Sequence, residues 1–293
     1  MAGFKNIRAY VDAKETGAYH FTGFRKVPSQ ATTVGNWCDL SMAGGNPVPN
    51  YYASAPLEAA TLGSLDRSEV NYEKGIWHGA DVSPYQKHLR NLVIMTSTAN
   101  AVPSYWHLLD YLLFYPFIDM GAVGETQEMV NTVTLPRYST GDGVRMMAVN
   151  VAPTLGGGQF FATYTNQNGV PGRVTPTQFC SAATNIATLT ATTQAPGGFQ
   201  PFIPLQAGDT GVRSVQSVTF NVANGGLMAL VLVKPLRSIT IRDINAPTEK
   251  EGVREIPDTP RIYDGAYLNL IGMTTTGSIA GGLIAGYAEF VWG

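Results

Sequence analysis

Four histidines carry most of the metal-binding and acid–base potential of this 293-residue chain: His20, His78, His88 and His107. Imidazole is a common zinc ligand, and His78 is followed by Asp81 and His88 in a pattern that loosely resembles a metal cluster. The spacing matches no ligand rule, and Pro84 interrupts it. We therefore predict that these side chains do not converge on a common ion, and that the protein binds no metal or cofactor.

Carboxylate pairs are the second source of chemistry, because glycoside cleavage needs two acids at a set distance. The acids that come nearest to such a set are Asp119, Glu125, Glu128 and Asp142. Nothing in their spacing fixes a geometry. We interpret them as water-exposed residues of turns and element ends.

Nucleophilic catalysis has no recognisable motif in this chain. The G-x-S-x-G elbow and the G-x-x-x-x-G-K phosphate loop are both missing. Gly156–Gly158 precede a predicted strand, so they offer no helix N-terminus to an anion. Cys38 and Cys180 are distant in sequence and are expected to be free, buried thiols. We therefore predict that the protein is not an enzyme and has no catalytic residues.

The composition limits the class of partner. Apolar residues make up 44% of the chain, but charged residues make up only 14%, against roughly 25% in ordinary soluble domains. The net charge of −2 provides no basic field for nucleic acid. We expect no nucleic-acid partner. The sequence also lacks a signal-peptide pattern and an apolar run long enough to span a membrane, so we expect synthesis in a cytoplasm and no membrane partner.

The missing charge is concentrated in two tracts. Arg173 is the only acidic or basic residue from Met146 to Leu205, and Gly265 to Ala288 has none. Soluble monomers usually spread charge over their surface. The neutral tracts favour surfaces that contact other protein molecules, although a hydrated Thr/Asn/Gln surface remains the alternative. The charges that do occur cluster in two loops, Glu69–Arg90 and Arg242–Arg261.

The clearest structural signal is Gly211–Ile241. Period-2 alternation before Asn224-Gly225-Gly226, followed by the apolar run Leu227–Val233, predicts a β-hairpin whose second strand lies inside a sheet. Pro235 is expected to end that strand near Lys234.

Other segments predict further elements. Asn6–Ala13, Lys87–Thr96, Gln159–Thr165 and Leu283–Trp292 are predicted strands. A second hairpin is predicted from Thr132–Tyr138 and Val144–Val151 around an Asp-Gly turn. Leucines at helical spacing predict one short apolar helix at about 104–115.

These elements define the expected fold class. Ten to twelve strands with frequent turns predict a mainly β protein, an antiparallel β-sandwich or jelly roll with one short helix. We expect one β-rich domain over residues 1–293. A division into a mixed N-terminal part with an extended arm (1–130) and a β-sandwich (131–293) remains open.

Several short sequence segments in the last two thirds of the chain resemble virion structural proteins of tailed bacteriophages. They are Val212-Arg213-Ser214-Val215, the LVLVKPL run, Pro260-Arg261-Ile262-Tyr263-Asp264-Gly265, Glu289-Phe290-Val291-Trp292, and the turn Tyr164–Gly169 with Gly172-Arg173. The resemblance implies a shell or tail component and no enzyme. The major capsid fold of these phages carries a long charged helix that this chain does not match. The resemblance therefore favours a capsid decoration or cement protein located in the virion.

Two functional hypotheses compete. In the first, the protein binds copies of itself, most plausibly as a trimer, and a phage capsid lattice; a major capsid or tail component remains open. In the second, it is a carbohydrate- or receptor-binding β-module of a tail or fibre. Abundant aromatic residues, including Trp37, Trp77, Trp106 and Trp292, suit both hypotheses, because such rings stack on sugars and also anchor protein interfaces.

Overall fold

The computed structural model describes residues 4–28, 32–62, 75–181, 184–192, 200–252 and 259–293, and the regular secondary structure in these ranges is almost entirely β-strand. In chain order the strands are β1 (Tyr19–Val27), β2 (Trp37–Asp39), β3 (Gly44–Asn46), β4 (Ala60–Thr61), β5 (Lys87–Thr96), β6 (Ser104–Asp119), β7 (Thr126–Glu128), β8 (Arg145–Asn150), β9 (Gln159–Asn166), β10 (Arg173–Val174), β11 (Gln178–Cys180), β12 (Ala191–Thr192), β13 (Val212–Val222), β14 (Leu227–Ile241), β15 (Thr248–Glu251), β16 (Arg261–Ile262), β17 (Leu268–Thr274) and β18 (Ile284–Trp292).

Helical structure is confined to short segments in the described residues. The only α-helix among them is α1 (Ile7–Asp12), and single 3₁₀ turns lie at Leu40–Met42 and Ala99–Ala101. None of these helices is long and apolar enough to cross a membrane. The predicted strand at Asn6–Ala13 is wrong. Asn6 caps α1, because its Oδ1 accepts a hydrogen bond from the amide of Ala9 at 2.9 Å.

The strands form three antiparallel sheets. Sheet I has the order β15-β5-β18-β1-β3, with β16 paired to β5. Sheet II has the order β2-β17-β6-β14-β8, with β4 paired to β6. Sheet III has the order β12-β11-β9-β13-β7, with β10 paired to β9. The long strands β6 and β14 are paired along their whole length, from Ser104 opposite Ile241 to Asp119 opposite Leu227. They form the centre of sheet II.

Sheet II supplies the main packing layer. One face contributes Leu230 to a core shared with Phe220 of sheet III, and Leu108 to a second core shared with Phe290 of sheet I. The opposite face is covered by non-strand segments that include Tyr52. The predicted mainly β, antiparallel sandwich class is therefore confirmed.

The predicted helix at about 104–115 is wrong, because these residues form most of β6. Leu108 and Leu109 belong to cores on opposite faces of sheet II, and both are fully buried. A strand covered on both faces shows a nearly continuous apolar run, which periodicity alone cannot distinguish from a buried helix. Bulges along the pairing with β14 further distort the period-2 pattern.

The predicted central hairpin is correct for its second strand and wrong for its pairing. β14 lies between β6 and β8, and Leu230 and Val231 are fully buried. β13, however, pairs with β9 and β7. The turn after β13 therefore passes from sheet III to sheet II. Gly225 and Gly226 take φ of 65° and 76° there, which permits the reversal but does not force the two strands to pair.

The predicted end of β14 at Lys234 is also wrong, since the strand continues through Pro235 to Ile241. β8 pairs with β14 only over Met228–Val233. On that side Pro235 is therefore beyond the paired region, and its missing amide hydrogen breaks no hydrogen bond of the ladder. On the other side the pairing with β6 is irregular between Pro235 and Arg237. A proline is tolerated at such a bulge.

The second predicted hairpin, Thr132–Tyr138 with Val144–Val151, is only half correct. Its second arm is strand β8. The Asp-Gly turn forms, with Gly141 and Gly143 at φ of 77° and 66°. Residues 132–138 have no strand structure, and β8 pairs with β14 instead. Arg137 turns its side chain inward to bind Asp110.

Strands from both ends of the chain share sheets. β1 pairs along most of its length with β18, and β6 lies between β14 and β17. A single domain over residues 1–293 stays a prediction, and these pairings favour it over a division into 1–130 and 131–293.

Candidate functional site

His78 is held by protein groups at both ring nitrogens. Its Nε2 lies 3.1 Å from the carbonyl oxygen of Ala266, and its Nδ1 lies 3.1 Å from the ammonium nitrogen of Lys87. The ammonium group donates, so Nδ1 accepts and Nε2–H donates to the carbonyl. This arrangement leaves neither nitrogen directed at a metal ion.

His88 does not join His78. His88 follows Lys87 on β5, so their side chains point to opposite faces. His88 Nδ1 lies 2.9 Å from the Thr259 carbonyl, and Asp81 is exposed. Among the described residues no group of three His, Cys, Asp or Glu side chains is placed to hold a metal. The residue that does meet His78 is Lys87, which the histidine spacing did not reveal.

A cleft of about 750 Å³ lies beside these residues, and it is lined by parts of both charged loops singled out in the sequence. Asp81, Lys87, Arg137, Arg261 and Asp264 contribute its charges. Lys87 Nζ lies 3.5 Å from Asp264 Oδ1 and donates to the carbonyl oxygen of Ala80 at 2.9 Å. The buried cation is thus already bound by the protein, and the cleft has mixed charge with no defined ligand set.

The candidate carboxylates lie on the surface. Asp119, Glu125, Glu128 and Asp142 are all exposed. Asp119 accepts the Gly121 amide at 2.7 Å, and Asp142 accepts the Thr140 hydroxyl at 2.8 Å. These are local turn contacts.

Both cysteines are free and buried, as predicted. Burial raises the pKa of Cys38 to about 12 and the pKa of Cys180 to about 11. A raised thiol pKa disfavours the thiolate, which is the nucleophilic form. The absence of an enzyme activity stays a prediction, and neither thiol has the environment of an activated nucleophile.

Sequence reasoning missed a buried carboxylate in the covered face of sheet II. Asp39 accepts hydrogen bonds from the hydroxyl groups of Ser41 and Tyr52, and from the Tyr111 hydroxyl at 2.7 Å. Burial raises the pKa of Asp39, and these donors oppose that shift. The network anchors the segment after β2 to β6, and its members are 2 to 72 residues apart in sequence.

The neutral tract forms a large part of sheet III, including strands β9, β10, β11 and β12. β9 alternates buried and half-buried residues, so every second side chain points outward. Neighbouring strands continue the same face. Its outward side chains are Thr126, Glu128, Gln159, Phe161, Thr163, Thr165, Val174, Phe179, Thr219 and Asn221.

Charge is confined to the margins of this face. The strands of sheet III contain only Glu128, Arg173 and Arg213 as charged residues. Arg173 binds Asp209 at 2.9 Å, and Arg213 donates to the carbonyl oxygens of Thr140 and Gln167. The outer face of sheet I differs, because strands β1, β18 and β15 place Arg25, Glu289 and Glu249 on it. The two exposed sheet faces are therefore chemically distinct.

Comparison with known proteins identifies no family. No protein-family model and no curated protein sequence matches the chain. Among solved structures, the Gt strain of infectious bursal disease virus is similar at 10% identity and a TM-score of 0.16, over 94% of this chain and 81% of that one. The VP2 subviral particle of the same virus is similar at 9% identity and a TM-score of 0.16, over 93% and 80%. Both are parts of virus particles, and at this TM-score the likeness carries no argument about this chain.

Proposed function

We propose that this protein is a structural component of a bacteriophage virion, a decoration or cement protein that binds copies of itself and the capsid lattice. The observation that carries the proposal is the outer face of sheet III, whose charged strand residues lie only at its margins. Threonine hydroxyls and half-buried phenylalanines can be covered by another protein without stripping water from charged groups.

The resemblance of the C-terminal phrases to tailed-phage virion proteins supports the same role. The internal binding of Lys87 and the raised thiol pKa values agree with a protein that does no chemistry. The contacts proposed here are with protein, so the proposal includes no nucleic acid, membrane or cofactor. Trimers are the expected oligomer, since shell lattices offer three-fold positions.

The test is to place charge in the proposed contact face. Thr163 and Thr219 lie on neighbouring strands of the sheet III face, and Thr163→Lys combined with Thr219→Lys adds two cations there. The matched control is Met95→Lys, which adds a cation to a partly exposed strand position of sheet I (37% exposed). Light scattering should show an oligomer for the native chain and the control, and a monomer for the double variant.

Two results would count against the proposal. One is a native chain that stays monomeric at every concentration and is missing from intact particles viewed by cryo-electron microscopy. The other is a double variant that assembles as the native chain does. Thermal unfolding of each variant checks that the added charge has not unfolded the monomer.

A further inference from the structure

A groove of about 580 Å³ crosses the outer face of sheet II at the end where β2 begins. It is lined by aromatic, aliphatic and neutral polar side chains from four neighbouring strands. This volume lies within the roughly 300–1,000 Å³ typical of small-molecule sites.

Strand register builds the groove from one row of side chains. Trp37 of β2 is opposite Met273 of β17, which is opposite Tyr105 of β6, which is opposite Thr240 of β14. The next row brings His107 opposite Ser238. Two interstrand spacings separate Trp37 from Tyr105, about 10 Å. The groove therefore presents two aromatic side chains about that far apart.

The aromatic side chains differ in exposure. Trp37 is mostly buried and packs against the His107 ring, with centroids 5.0 Å apart. The Phe202 ring also lies near this imidazole, with centroids 6.0 Å apart. Tyr105 is 43% exposed, so part of its side chain is open to solvent. The open ring beside a fixed aromatic floor forms a platform on which a flat apolar surface can stack.

Three neutral polar groups border this platform. The hydroxyls of Ser238 and Thr240 and the imidazole nitrogens of His107 make no hydrogen bond within the described part of the chain. Burial lowers the pKa of His107, so its ring is neutral at pH 7. A neutral imidazole offers one donor and one acceptor, and each hydroxyl offers both.

Charge complementarity selects the class of ligand. Among the residues that the structure describes, no charged side chain lines the groove, so an ionic ligand would meet no counter-charge from them. We propose that this groove binds a neutral saccharide, with a pyranose ring stacked on Tyr105 and its hydroxyl groups hydrogen-bonded to His107, Ser238 and Thr240. A pyranose has apolar C–H faces and a polar hydroxyl rim, which matches a stacking ring with hydroxyl and imidazole groups beside it.

The experiment uses the full-length protein and defined neutral probes. Isothermal titration calorimetry is performed with maltohexaose, cellohexaose, a mannose oligomer, a galactose oligomer and N-acetylglucosamine hexamer. At least one should bind. Tyr105→Ala should weaken that binding about tenfold or more, the loss expected when a central aromatic contact is truncated. Ser238→Ala should weaken it less.

Tyr85→Ala is the matched control, because Tyr85 is also an exposed tyrosine (57%) but lines the charged cleft. It should bind the probe as the native chain does. The proposal is overturned if none of the five probes binds, or if Tyr105→Ala and Tyr85→Ala bind equally well. It is also overturned if Tyr105→Ala leaves saccharide binding intact and abolishes self-association. That last result would make the groove a contact between protein molecules. The charge variants on the sheet III face would then show whether self-association uses the groove, the sheet III face or both.

Discussion

Arg137 and Asp110 form a two-pronged ion pair in the protein interior. Arg137 Nε lies 2.9 Å from one carboxylate oxygen of Asp110, and Nη2 lies 2.7 Å from the other. The same Nη2 donates to the carbonyl oxygens of Leu62 and Tyr111, and the Tyr267 amide donates to Asp110. Burial raises the pKa of Asp110, and the guanidinium charge opposes that shift. The pair joins β6 to three segments that are distant in sequence.

Removing one member of this pair should be strongly destabilising. Arg137→Ala leaves the Asp110 carboxylate buried without its cation, and such a loss typically costs about 3–5 kcal/mol. Urea unfolding at pH 7 measures the change. Arg8→Ala is the control, because it removes an exposed pair with Asp12 and should cost less than about 1 kcal/mol. Equal losses for the two variants would show that the buried pair is not a structural anchor.

Leu230 should contribute about as much to the stability of the fold, because its apolar side chain is buried. It is fully buried in the core between sheets II and III, so Leu230→Ala should cost about 2–5 kcal/mol through lost burial and a residual cavity. Leu155, which is 84% exposed, is the matched control, and Leu155→Ala should change stability by less than about 0.5 kcal/mol. A small effect at Leu230 would contradict the position of β14 inside the sandwich.

Strands with one covered face could be predicted from the sequence. β9 alternates buried and half-buried residues along its whole length, and the predicted strand Gln159–Thr165 differs from it by one residue. The apolar run Lys87–Thr96 also predicts β5 with the observed bounds, although Asn91–Ile94 are all buried. Where both faces are covered, as in β6, the period-2 signal disappears and a helix was predicted instead. The partners of a strand are also hidden. Local turn residues after β13 do not reveal that its neighbours are β7 and β9.

The candidate sites were harder to predict, because they depend on partners far apart in sequence. Asp110 and Arg137 are 27 residues apart and carry no shared motif. The metal-ligand pattern points to His88 as the partner of His78, whereas the observed partner is Lys87. Because side chains alternate along β5, only one of these two neighbours can lie beside His78. The neutral tract was recognisable from composition. Its assignment to the outer face of sheet III required the strand register.

Acid should destabilise the protein through two histidines. Burial lowers the pKa of His20 and of His107 below the ordinary value of 6.5, and the charge of Lys87 lowers that of His20 further. The unfolded chain then binds more protons than the folded chain in the range just below pH 6.5. Stability is therefore lost as the pH falls through that range.

The measurement is the urea midpoint at pH 7.5 and pH 5.5. The native midpoint should drop more than that of a His20→Gln, His107→Gln double variant. Burial raises the pKa of Asp39 and Asp110, which acts in the opposite direction, so the comparison with the variant isolates the histidines. Identical drops for both proteins would refute this account.

Lys26 should contribute more stability in mild alkali than at neutral pH. This lysine is fully buried, and its Nζ donates to the carbonyl oxygens of Ala43 at 2.8 Å and Pro47 at 2.6 Å. Burial lowers its pKa from 10.5 to about 8, against a smaller opposing effect of the Asp39 charge. Between pH 8 and 10.5 the unfolded chain therefore keeps a proton that the folded chain has lost. The Lys26 contribution to stability should rise with pH by roughly 1–2 kcal/mol between pH 8 and 9.5, at about 1.4 kcal/mol for each pH unit.

Lys26→Met tests this origin, because methionine fills a similar volume and cannot titrate. Urea unfolding at pH 7.5, 8.5 and 9.5 should show a midpoint that changes less favourably with pH for the variant than for the native chain. Ionisation of Cys38, Cys180 and buried tyrosines in the unfolded chain acts in the opposite direction, because burial raises their pKa values. Lys234, whose pKa burial lowers, acts in the same direction as Lys26. These effects are common to both proteins, so the difference between the two isolates Lys26. If the two midpoints change in parallel, the buried ammonium group is not a source of the pH dependence.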